Sequence, residues 1–134
     1  MTKMTQKYGF GKTVSFPFDA AVKKVKKELE KEGFGVLTEI DVAATLKRKL
    51  NQEMPPYLIL GACSPQLAQR ALEIDSSIGL LLPCNVVVRQ DDKDNVHVEF
   101  MDPKAVLDLV DRPQINTLAK EVEQRLRRVL DSLV

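Results

Sequence analysis

Six consecutive residues, Tyr57-Leu58-Ile59-Leu60-Gly61-Ala62, carry no polar group beyond one phenol, and a Ser64-Pro65 pair follows almost at once. An apolar run this short is a strand length, not a helix length. Because it is apolar at every position, it predicts a strand in the middle of a sheet, covered on both faces. Ser64-Pro65 predicts a helix start, with serine as cap and proline in the first turn. The chain must therefore build at least one sheet with a helix returning across it.

The rest of the chain fits that frame. Residues 7–16 predict a strand with Tyr8, Phe10, Val14 and Phe16 on one face and Gly9, Gly11, Thr13 and Ser15 on the other. The second face is small enough for something to pack closely against it. Asp19 is placed to cap a helix in which Phe18, Val22, Val25 and Leu29 recur at helical spacing, and Gly33 ends it. Phe34–Ile40 predicts another strand, and Asp41 caps a short helix bearing Val42, Leu46 and Leu50. Leu67, Ala68, Ala71 and Leu72 form the buried stripe of the helix after Pro65, and 74–83 reads as a loop or short helical turn. Residues 84–90 and 96–102 read as a hairpin around Asp91-Asp92-Lys93-Asp94-Asn95. Asp102-Pro103 starts a short helix, and Pro113 opens a long last one with Ile115, Leu118, Ala119, Val122, Leu126, Val129, Leu130 and Leu133 on one side. The fold class is α+β: one mostly antiparallel or mixed sheet of about five strands, helices packed on it, and a long C-terminal helix. With 134 residues, no repeat and no linker, 1–134 is read as one domain.

Charge narrows the functions. Twenty Lys and Arg stand against 19 Asp and Glu, without the basic excess that phosphate neutralisation demands of a nucleic-acid binder. The charge run at 23–31 alternates in sign, the run at 125–128 has Glu121 and Glu123 nearby, and both read as solvated helix faces. No apolar segment is long enough to cross a bilayer, and residues 1–12 are polar and basic without a signal-peptide core. A cytoplasmic location is expected, where Cys63 and Cys84 are free thiols.

Three stretches carry a family resemblance: Gly33-Phe34-Gly35-Val36-Leu37-Thr38-Glu39-Ile40-Asp41-Val42; Leu60-Gly61-Ala62-Cys63-Ser64-Pro65-Gln66-Leu67-Ala68 with Ala71-Leu72; and Ile78-Gly79-Leu80-Leu81-Leu82-Pro83-Cys84-Asn85-Val86-Val87-Val88 with Asp102-Pro103. The pattern resembles the domain of unknown function 302 along nearly the whole chain, its specific parts being Ala-Cys-x-Pro and Leu-Leu-Pro-Cys-Asn. Ser64 stands where asparagine is usual, and both residues cap helices. The resemblance implies a compact α+β domain that self-associates. It implies no reaction.

Candidate sites follow from both lines. A helix start beside Cys63 favours a thiolate, and Cys84 at the head of another strand would meet it if the two strands are neighbours. Cys63, Ser64, Pro83, Cys84 and Asn85 are therefore the expected ligand-binding set, for a small molecule or a metal ion. Against this, free cysteine behaves as a small hydrophobe in most cores. The 20 intervening residues are no zinc signature, and two thiols do not close a tetrahedral site. His97 is the one histidine. If Val88 pairs with Val98, it lies across the sheet from Cys84, exposed beside Arg89 and Glu99, and no nucleophile–base–orienter set is visible. Gly11-Lys12-Thr13 lacks the upstream glycine and following helix of a phosphate loop. Asp41 and Asp102 have work as caps, and Asp75 sits in a polar turn. Three readings stay open: a small-ligand binding domain acting as a homodimer, a thiol-redox or soft-metal carrier or sensor, and a structural or regulatory interaction module.

Overall fold

The computed structural model describes residues 3–134, with side chains from residue 7 onward; residues 1 and 2 of the polar N-terminal stretch lie outside it. Six strands, β1 (Lys3–Gln6), β2 (Gly9–Val14), β3 (Gly35–Asp41), β4 (Tyr57–Cys63), β5 (Cys84–Gln90) and β6 (Val96–Met101), form one sheet. Their order is β1-β2-β6-β5-β4-β3, antiparallel at every junction. The helices are α1 (Phe18–Lys31), α2 (Val42–Leu50), α3 (Pro65–Ile74), α4 (Pro103–Leu107) and α5 (Pro113–Asp131), with 3-10 turns at Ser76–Leu81 and Asp108–Val110.

The strand expected over 7–16 is β2, shorter at both ends, and β1 precedes it outside the expected range. Gln6 pairs with Gly9, so Lys7 and Tyr8 form the tip of a tight hairpin and Tyr8 is exposed there. Within β2 the alternation holds, with Phe10, Lys12 and Val14 turned to the core and Gly9, Gly11 and Thr13 turned away. The small face has its close neighbour in β6 itself. A Cβ on Gly11 would strike the carbonyl of Val98 and stand 2.8 Å from Cα of Glu99.

One core lies between the sheet and the helices. Leu60, Ala62, Cys84, Val86, Val88, Val98 and Phe100 meet Val25 and Leu29 of α1, Leu67 and Ala71 of α3, and Ile115, Leu118, Leu126 and Val129 of α5. These positions recur at helical spacing on α1 and α5, which is why the apolar stripes faced inward as expected. Caps differ in detail. Asp41 Oδ1 accepts from Ala44 N at 2.8 Å and Asp102 Oδ1 from Lys104 N at 2.9 Å, as caps should. Asp19 lies inside the first turn of α1 behind Pro17, and Ser64 holds the N-cap position without a side-chain capping bond. The charge run of α1 is less solvated than expected. Glu28 is buried, and Lys24 and Lys31 neutralise it at 3.3 and 3.0 Å, the pairing that burial of a carboxylate requires. Lys26 reaches across to Glu39 of β3.

The expectation that β4 is covered on both faces is corrected. Leu60 and Ala62 are buried on the helix side, whereas Tyr57 and Ile59 are only half-buried on the other. The described helices that fill the core stack on a single side of the sheet. The apolar character of Tyr57–Ala62 therefore serves two different surfaces, a core and an open face.

Candidate functional site

Strand pairing decides where the expected site residues go. Ala62 of β4 sits opposite Cys84 of β5, so the two cysteines belong to adjacent strands at the same end of the sheet. Cys63, Ser64, Pro83 and Cys84 line one crevice with Phe34, Leu67, Leu107 and Leu118. Its volume is about 40 Å³ and its walls are apolar, room for a water or two, not a metabolite. Burial raises the Cys63 thiol, and burial together with the Cys63 sulfur beside it pushes Cys84 up to about 12. Both are thiols at neutral pH, because the low-dielectric surroundings outweigh the nearby helix start. Among the described residues, no group of three or more His, Cys, Asp or Glu is gathered for a metal. Asn85 parts from the other four: it follows Cys84 in β5 and projects from the opposite face.

That open face is ordered in cross-strand rows. Thr13 faces His97, His97 faces Arg89, and Arg89 faces Tyr57, so one row crosses β2, β6, β5 and β4. The next row is Gly11, Glu99, Val87 and Ile59, and beyond it Gly9 faces Met101 and Asn85 faces Gly61. A groove of about 620 Å³ runs over these rows, with Tyr8, Tyr57, Asn85, Val87, Met101 and Val106 of α4 around an ion pair in its floor. The pair is Arg89 Nε donating to Glu99 Oε1 at 2.6 Å, each side chain about a quarter exposed. The carboxylate raises the guanidinium still further above its ordinary value. Glycines at 9 and 11 leave that stretch of β2 without side chains on this side.

His97 is less exposed than expected, its side chain retaining 14% of its accessible surface. Its Nε2 lies 2.8 Å from Asp91 Oδ2, and Nδ1 lies 3.1 Å from Thr13 Oγ1. An ionised carboxylate only accepts, so Nε2 carries the proton and Nδ1 accepts from the threonine hydroxyl in the neutral ring. Asp91 Oδ1 also accepts from the N–H groups of Lys93 and Asn95, each at 2.9 Å. The histidine first, then these N–H groups, hold the Asp91 carboxyl well below the usual range. A hydroxyl, an imidazole and a carboxylate are thus in line, the set that was not visible in the sequence. The signal lay in the pairing of β2 with β6, two strands separated by most of the chain, which no local pattern reveals. What the geometry does carry out is to tie the tip of the β5–β6 hairpin to β2.

Fold and site together define a small α+β domain, an antiparallel sheet with its core-filling helices on one side and a grooved open face on the other. Residues 10–133 match the family model of the domain of unknown function DUF302, and the chain belongs to that family. It is similar to a solved structure, an uncharacterized conserved DUF302 protein from Bacillus stearothermophilus, at 28% identity over 95% of this chain and 98% of the other, with a TM-score of 0.88. The comparison with curated proteins found no match. No helix among the described residues is long and apolar enough to cross a membrane.

Proposed function

We propose that this domain binds a small organic ligand, and that the ligand lies in the groove on the open face of the sheet. The observation that carries the reading is the groove itself: about 620 Å³, apolar walls, and a few polar side chains converging on its floor. That is the size and make-up of small-molecule sites. Of the residues expected from sequence, Asn85 lines this groove; Cys63, Ser64, Pro83 and Cys84 line the crevice on the other side of the sheet. Two thiols held protonated by burial fit small core side chains better than a redox couple. The homodimer belongs to the same proposal, seated on the part of the open face that the groove leaves uncovered.

A thermal-shift screen over a metabolite library tests the reading. A hit is expected to be lost in Val87→Trp, which fills the groove, and kept in Cys63→Ser. A library without hits, or a hit indifferent to Val87→Trp, would sink it.

A further inference from the structure

We infer that the groove takes an uncharged, planar aromatic ring system with an amide-type edge, a deepening that rests on the groove reading above. Charge decides the first property. Arg89 and Glu99 are the charged side chains that line the groove, and they are paired with each other, 2.6 Å apart at Nε and Oε1. Arg89 has a further interaction besides Glu99. An ion entering the groove gives up water and meets charges that are already compensated, and a desolvated charge without a partner is costly. An uncharged ligand avoids that cost and leaves the pair intact.

The walls decide the other two. The chain has two tyrosines and no tryptophan, and both tyrosines line the groove. Tyr8 stands at the tip of the β1–β2 hairpin, 69% exposed, and Tyr57 closes the row beyond Arg89. Aromatic faces and edges pair best with other flat rings. Val87, Met101 and Val106 add apolar contact, and a methionine thioether packs favourably against an aromatic ring. The volume of about 620 Å³ leaves room for fused rings. Asn85 reads the polar edge. Its exposed side chain makes no hydrogen bond among the described residues, so an N–H donor and a carbonyl acceptor are there for a complementary pair on the ligand. A carboxamide on an aromatic ring presents such a pair.

Isothermal titration with naphthalene carboxamide tests this, beside naphthoate, naphthylmethylammonium, the N,N-dimethyl amide and the saturated decahydronaphthalene carboxamide. The aromatic carboxamide is expected to bind saturably and each of the other four at least about tenfold more weakly, the size of one lost polar or stacking contact. Tyr8→Ala and Asn85→Leu are each expected to weaken the carboxamide by a similar factor. Both replace exposed side chains, and thermal midpoints close to the parent's show that the variants fold. Any of the four analogues binding as tightly as the carboxamide would overturn the inference, and loss of that binding in Val87→Trp keeps the groove reading standing. Carboxamide binding indifferent to both Tyr8→Ala and Asn85→Leu overturns it too. No binding by any of the five compounds overturns it as well, and the library screen then decides the groove separately.

Discussion

At the scale of single residues, Asp91 does the most with the least burial. One carboxylate accepts from two backbone N–H groups of its own turn and from His97, which in turn accepts from Thr13. The folded-state pKa of Asp91 lies below its ordinary value of 3.8. A group with a lowered folded pKa stabilises fully above its unfolded value, and the contribution is lost as pH falls through the folded one. Asp91→Asn is therefore expected to melt earlier than the parent at neutral pH, with the gap closing in strongly acidic buffer. Thermal midpoints across that range check it; a gap of constant size would mean that the charge plays no part. From sequence, Asp91 was one of several acidic residues in a turn and His97 an exposed ring. Their roles come from a third strand that neither residue's neighbours announce.

At the scale of elements, β2 and β6 approach closely because β2 has no Cβ at position 11. Gly11→Ala would place one against the backbone of Val98 and Glu99, where nothing flexible can yield. We expect a cost of about 1–3 kcal/mol, typical of overpacking, read as a lowered urea midpoint. Gly35→Ala is the control: its Cβ would meet nothing within 4 Å and its φ is unremarkable for any residue, so a change within about 0.5 kcal/mol is expected. Equal losses at the two sites would assign the effect to glycine chemistry in strands generally. The hairpin of β5 and β6 was legible in advance, and the register supposed for it, Val88 opposite Val98, is the one observed. Alternating apolar residues rule out a one-residue slip, which would turn Val98 and Phe100 away from the face of Val86 and Val88. The turn at Lys7 and Tyr8 was not legible, since the alternation of Tyr8 with Phe10 continues into β2 and makes residue 7 look like the start of a strand.

At the scale of the whole molecule, the sheet has one face with a core and one without. Beyond the groove, Ile59 and Ile40 sit opposite each other on β4 and β3, and Ile40 is half exposed. In the homodimer proposed above, that apolar end is where the second copy sits. We expect a dimer in sedimentation equilibrium and a monomer for Ile59→Glu with unchanged circular dichroism; a parent that stays monomeric at high concentration would remove the homodimer. The elements, the α+β class, most cap positions and the inward stripes of α1 and α5 were determined by the sequence itself, because hydrophobic period and turn chemistry are local. Which strands lie side by side, and that the core-forming helices crowd onto one side, is decided only in the tertiary structure. That choice turns half of an all-apolar strand outward and brings Thr13, His97, Arg89 and Tyr57 into one row. The reason is physical: side-chain period tells a strand how many faces it has, but only the packing of distant segments determines what each face meets.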